Sequence, residues 1–174
     1  AVSMARGRGI PVSFDPNLRL SLWDSPEDCR SAVREFLPDA DIVKISDNEL
    51  SFLLGTEDPE AAVKQLFSMG CRLFLYTMGG DGAMAFTPAA CASVPCYPVE
   101  VTDTTGAGDS FMGASLYHLV SRGISREMLA GLDAEALEEL LRFASLYAAF
   151  TTTRRGAASA MATREELREF ARRF

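Results

Sequence analysis

Asp103-Thr104-Thr105-Gly106-Ala107-Gly108-Asp109-Ser110-Phe111 is the stretch on which the fold and the chemistry of this chain turn. Three features coincide there. Residues 106–108 are small enough for the backbone to approach a ligand closely. The stretch opens a helix from about Asp109 to Arg122, and the first N–H groups of a helix lack partners within it and attract anions. Asp109 stands at the start of that helix, beside the place an anion would take. The residues admit two functions. They can form a helix cap with close packing. They can also form a phosphoryl-transfer site, in which the N–H groups of Ala107, Gly108 and Asp109 neutralise the phosphate and the Asp109 carboxylate accepts the proton of an attacking hydroxyl. A short glycine motif leaves both open, since it is neither G-x-G-x-x-G nor the Walker pattern.

Outward from this segment, strand and helix alternate. Ile10–Phe14 reads as a strand running into the polar loop Asp15-Pro16-Asn17. Ser25-Pro26-Glu27-Asp28 has the N-cap serine, N1 proline and first-turn acids of a helix start, with the helix reaching about Leu37. Asp41–Ile45 is a second strand, and Ser46 and Glu49 are spaced as a capping box for a helix that Gly55 ends. A helix from Asp58-Pro59-Glu60 closes at Gly70. Arg72–Thr77 reads as a buried strand, Gly79-Gly80-Asp81-Gly82 as a tight turn and Ala83–Phe86 as a returning strand. The proline-broken run Val94–Val101 is an edge strand or loop. Ala134 to about Thr153 is a long helix whose stripe of Leu137, Leu140, Leu141, Ala144 and Ala148 faces a core, and Thr163–Arg173 is a last amphipathic helix. This alternation specifies an α/β fold with a mostly parallel sheet in one domain.

The chain has 174 residues, 48% of them apolar and 24% charged, and a formal net charge of −7. That balance excludes disorder and a broad nucleic-acid face, but leaves room for a locally held phosphate. Four cysteines without C-x-x-C spacing and a single histidine, His118, argue against a zinc site and for reduced thiols in a cytoplasmic compartment. No apolar run has the roughly 18 residues a membrane helix needs.

The segment Asp103–Ala114 resembles the second signature of the PfkB, or ribokinase, family of carbohydrate kinases. Phe14-Asp-Pro-Asn-Leu-Arg19 with Leu22-Trp23 resembles the fructokinase and 2-keto-3-deoxygluconate kinase branch. Lys44–Glu49 is similar to the N-x-x-E segment, Tyr76–Gly82 to the nucleotide-side strand and turn, and Arg154–Ala157 to the late loop near the adenine. The resemblance implies a three-layer α/β/α Rossmann-like ribokinase fold, with residues 1–174 as its C-terminal nucleotide-binding and catalytic part and the N-terminal substrate and lid half absent. It implies ATP-dependent phosphorylation of a sugar hydroxyl, chiefly fructose to fructose 6-phosphate. The alternatives are 2-keto-3-deoxygluconate kinase or another sugar kinase of the family, and, in a different class, a non-catalytic binding or assembly protein.

Roles follow from the resemblance. Asp109 is the general base, and Gly106, Ala107 and Gly108 form the anion hole. Thr77, Gly79, Gly82, Ser145, Gly156 and Ala157 hold ATP. Asn17 and Arg19 reach towards the sugar. Glu49 organises Mg²⁺ through water, and Asp103 and Thr105 bind a monovalent cation, K⁺, through their carbonyls. The partners implied are a small sugar and ATP, with neither nucleic acid nor membrane, and the full-length parent is a homodimer. Ser46 replaces the family's asparagine. Bland roles stand beside several of these. Asp15 and Arg19 can simply pair, Lys44 at a strand end is read as solvated and given no role, Arg154 and Arg155 cap a helix or touch phosphate, Trp23 anchors packing, and Cys91 and Cys96 are inert.

Overall fold

The computed structural model describes residues 1–174. A five-stranded sheet runs in the order β1 (Ser13–Phe14), β2 (Ile42–Ser46), β3 (Leu73–Thr77), β4 (Ala83–Phe86), β5 (Cys91–Val94). β1, β2 and β3 are parallel, β4 is antiparallel to β3, and β5 is antiparallel to β4. Four of the five strands therefore point the same way, as the alternation of elements requires. The edge strand is Cys91–Val94, ahead of Pro95, and residues 95–101 have no regular structure. Pro95 cannot donate to the ladder, so the pairing with β4 ends at Val94.

Strand periodicity sorts the core into two layers. Val43, Ile45, Phe74, Tyr76 and Phe86 face one side, against α2 (Pro26–Phe36), α3 (Asp47–Leu54) and α4 (Pro59–Ser68). Ile42, Leu73, Leu75, Ala83 and Ala85 face the other, against α5 (Ala107–Ser121) and α6 (Ala134–Thr152). The result is a three-layer α/β/α sandwich. Two shorter helices complete it: α1 (Val2–Gly7) at the N-terminus and α7 (Arg164–Ala171), whose Leu167 and Phe170 pack on Phe150 of α6.

The helix starts behave as their residues dictate. Ser25 accepts the N–H of Asp28 and Asp58 that of Glu60. Ser46 with Glu49, and Thr163 with Glu166, form full capping boxes. At the far end of the sheet, buried Asp41 accepts from Arg126 Nε at 2.8 Å and from the Val12 N–H at 3.0 Å, and Arg72 Nε lies 3.4 Å away. This cluster ties α1–β1, β2 and the loop after α5 together, well away from the C-terminal strand ends. All four cysteines are free. No helix is long and apolar enough to cross a membrane.

Candidate active site

β2 and β3 end in register at Ser46 and Thr77, and the loop after β1 emerges at the same edge. In a parallel sheet this C-terminal edge is where ligands bind. A cleft of about 700 Å³ opens there, lined among others by Lys44, Ser46, Thr77, Gly79, Gly82 and the start of α5. Its far wall comes from residues 96–99 and Val101 and from Ser145, Ala148 and Ala149 of α6.

The free backbone donors of the cleft lie at the start of α5. Gly106, with φ of 77°, precedes the helix, and the Ala107 N–H folds back onto Thr104 O at 3.1 Å. The N–H groups of Gly108 and Asp109 donate to no protein acceptor. Of the three donors the sequence suggests, two are thus free, and the Ala107 N–H is spent on the turn. Asp109 is exposed on the first turn of the helix, beside these donors.

Thr77, Gly79, Gly82 and Ser145 all line the cleft. Gly82 has φ of 103°, and a side chain there would overlap the Val94 carbonyl oxygen and sit 2.9 Å from Pro95 Cα. The turn over the cleft mouth therefore tolerates only glycine. Gly156 and Ala157 do not line the cleft. They dock on the signature turn instead: the Gly156 N–H donates to Asp103 Oδ2 at 3.0 Å, and Ala157 packs against Gly106. Asp103 also accepts the Thr105 N–H at 2.9 Å. These bonds, the one from Gly156 first, hold the Asp103 carboxyl down to about 2. The carbonyls of Asp103 and Thr105 accept no hydrogen bond from the protein, which leaves both open to a cation.

Glu49 is engaged with the protein through both oxygens. Its Oε2 accepts the Ser46 N–H at 3.0 Å and the Ser46 hydroxyl at 2.8 Å, and its Oε1 accepts the Leu18 N–H at 2.8 Å. Burial raises the Glu49 carboxyl, but the Ser46 and Leu18 donors outweigh it and the group titrates below its ordinary value. Glu49 thus clamps the Asp15–Arg19 loop onto the start of α3. Asn17 sits in that loop at φ of 43° and is exposed. Arg19 is also exposed and donates to Leu18 O at 2.9 Å, so it does not pair with Asp15.

Asp15 pairs instead with Lys44, and here the structure corrects the sequence. Lys44 is not solvated: its side chain is 7% exposed, and Nζ lies 3.3 Å from each Asp15 oxygen. The signal was present in Ile42-Val43-Lys44-Ile45, where both faces of the strand are buried and a lysine must find a partner. Burial pushes the Asp15 carboxyl above its usual value despite the attraction of Lys44. The remaining bland roles divide. Arg154 bonds Glu166 at 2.8 Å and lies over the Phe150 ring, a structural tie. Trp23 is 41% exposed and anchors little. Cys96, read as inert, lines the cleft.

A pocket at the strand ends, free N–H groups at a helix start and a buried ammonium beside them make a site with the donors to receive an anion. The comparisons with known proteins agree. Residues 3–164 match the model of the pfkB family carbohydrate kinases. Fructokinase-2 of Solanum habrochaites is 39% identical over 168 residues, covering 95% of this chain and 49% of its own length. Fructokinase-1 of Oryza sativa subsp. japonica is 38% identical over 168 residues, covering 96% and 50%. Among solved structures, the fructokinase of Xylella fastidiosa with bound ATP superposes with a TM-score of 0.90 at 33% identity, over 99% of this chain and 55% of that one. The Vibrio cholerae O395 fructokinase bound to fructose, ADP and calcium gives 0.83 at 32% identity, over 97% and 53%. The chain belongs to the pfkB family of carbohydrate kinases. It spans about half the length of these two plant relatives.

Proposed function

We propose that the chain is the nucleotide-binding and catalytic part of an ATP-dependent sugar kinase, with fructose as the phosphate acceptor. One observation carries this reading: the unpaired N–H groups of Gly108 and Asp109 open beside a buried ammonium, at the floor of a cleft large enough for a nucleotide. The similarity to fructokinases supports the choice of sugar.

In this reading the adenine end lies along Ser145 and α6, and Thr77, Gly79 and Gly82 flank the phosphates. The helix N–H groups face the oxygens of the transferring group, where negative charge must be neutralised. Asp109 takes the proton of the sugar hydroxyl at its carboxylate. The Asp15–Arg19 loop, clamped by Glu49, presents Asn17 and Arg19 towards the sugar. Mg²⁺ bound with the nucleotide phosphates would supply charge neutralisation, and Glu49 would hold it through water, its Oε1 accepting only one hydrogen bond from the protein. The open carbonyls of Asp103 and Thr105 suit K⁺. Homodimerisation of a longer parent belongs to the same proposal.

The test is ADP release from Mg-ATP over a panel of sugars, on this chain and on the longest polypeptide its gene encodes, each with Asp109→Asn. Fructose-dependent turnover lost in the variant, with ATP affinity retained, supports the assignment. Near wild-type turnover in the variant would refute Asp109 as the base. ATP binding without turnover in either polypeptide would favour a non-catalytic binding protein, and turnover with an acid sugar alone would favour the keto-acid sugar kinase.

A further inference from the structure

Lys44 enters the apolar layer between sheet and helices on the same face of β2 as Ile42. Its head emerges against the first turn of α5, where a Cβ on Gly108 would lie 3.1 Å from Nζ. Gly108 is helical and needs no special backbone conformation, so its lack of a side chain serves the ammonium. Two positive features therefore face each other at the cleft floor, the ammonium and the unpaired N–H groups of Gly108 and Asp109. Taking a charge out of water costs several kcal/mol unless it is well paired. The only partner of Lys44 is Asp15, at 3.3 Å from both of its oxygens. That is longer than the ~2.7–2.9 Å of a good charge-assisted hydrogen bond. Asp15 also leaves the helix N–H groups unanswered. It comes from a loop rather than from a strand or helix, and that loop is held from Leu18, not from Asp15 itself.

We propose that Lys44 is the phosphate-receiving cation of this site and that Asp15 is its resting counter-ion, replaced at the ammonium when the terminal phosphate of a nucleotide arrives. The proposal rests on the nucleotide-binding reading above. A carboxylate brings one charge to the lysine alone. A terminal phosphate brings close to two, with enough oxygens to take the ammonium and both N–H groups at once. The exchange thus satisfies three donors where the resting pair satisfies one. Lys44 positions the phosphate, and Asp15 holds the lysine in place while the site is empty.

Calorimetric titration of the 174-residue chain with ATP, ADP and AMP tests this, with melting temperature as the folding control. Lys44→Met should weaken ATP by about 10- to 100-fold, the range of one lost charge-assisted contact, and leave AMP within about threefold. Lys44→Arg should restore part of the preference for ATP. Asp15→Asn should act in the opposite direction and tighten ATP several-fold, since no carboxylate then competes for the ammonium. If wild type binds none of the nucleotides, the proposed function itself falls. If wild type prefers ATP over AMP and Lys44→Met keeps that ratio, this proposal alone falls. If Asp15→Asn weakens ATP as much as Lys44→Met, Asp15 is a fixed part of the site and the exchange is refuted. Should Lys44→Met fail to fold, Gly108→Ala decides in its place, because its methyl group displaces the ammonium: unchanged ATP affinity there overturns the role of Lys44.

Discussion

Glu49→Gln should release the Asp15–Arg19 loop while leaving the α/β core intact. The carboxylate serves three donors: the N–H and hydroxyl of Ser46 on one oxygen and the N–H of Leu18 on the other. Glutamine can keep one side only. If its carbonyl stays with Ser46, its NH₂ faces the Leu18 N–H, donor against donor. The loss is one charge-assisted hydrogen bond plus an unsatisfied, half-buried N–H, about 1.5–3 kcal/mol together. For a chain of this length that corresponds to a fall in melting temperature of roughly 3–12 °C. Hydrogen exchange locates the effect: the Leu18 amide should lose its protection, while the amides of β2 and β3 keep theirs. With the clamp gone, Asp15 also loses its fixed approach to Lys44. A variant that melts within 1 °C of wild type and still protects Leu18 would refute the clamp and return Glu49 to a simple helix cap.

Three further outcomes follow from the same geometry. Asp41→Asn leaves Arg126 and Arg72 without a countercharge at a buried position. Breaking such a pair from one side costs about 3 kcal/mol, so thermal melting should drop by roughly 6–12 °C, and a drop under 2 °C would show the cluster to be dispensable. Glu49 and Asp103 both titrate below their ordinary values, so the folded state favours their ionised forms. Their contribution is complete above about pH 4.5 and is lost as pH falls through the depressed values, with Asp103 reaching about 2. The melting temperature should therefore fall between about pH 4.5 and 2, and the fall should be shallower in Glu49→Gln; an equal slope would contradict the assignment. Cys96 is exposed and lines the cleft. Its alkylation, followed by peptide mass spectrometry, should slow in the presence of ATP while that of exposed Cys91 does not.

Local chemistry was legible in the sequence and tertiary contact was not. The helix starts at Ser25, Ser46 and Asp58 could be read directly, because each depends on residues two or three positions apart, whereas the Thr163–Glu166 box is read only as the start of a helix. The same spacing showed Glu49 as a cap but could not show its grip on Leu18, 31 residues away. The N–H groups of α5 were visible as a class, yet the turn that takes the Ala107 N–H depends on Gly106 entering the left-handed region. The prolines at 95 and 98 mark the loop alternative of Val94–Val101, and the edge strand Cys91–Val94 ahead of them carries no such signal. The strand lies before them, because the short turn that Thr87 closes on Ala90 brings Cys91–Val94 back against β4. Gly156 and Ala157 follow the family order of motifs, but order alone does not say which wall of the site a loop meets. Here Asp103 decides it by accepting the Gly156 N–H.

The net charge of −7 sits oddly with the proposed site for nucleotide phosphates until the cations are located. Arg6, Arg122, Arg142 and Arg154 are bound to surface acids, and Arg72 and Arg126 flank Asp41 at the opposite end of the sheet. None of these faces the cleft. What faces it is a single buried lysine and the end of one helix. A chain charged in this way does not attract nucleotide from a distance, because exposed charges more than about 8 Å apart are screened at physiological salt. In the proposed function it binds by contact instead, through a buried lysine and helix N–H groups that are already oriented before the ligand arrives. Such donors retain their strength when salt is raised, whereas the surface pairs lose theirs. The acidic surface and the proposed anion site are therefore compatible, because the site is built from Lys44, Asp15 and the start of α5 and not from surface charge.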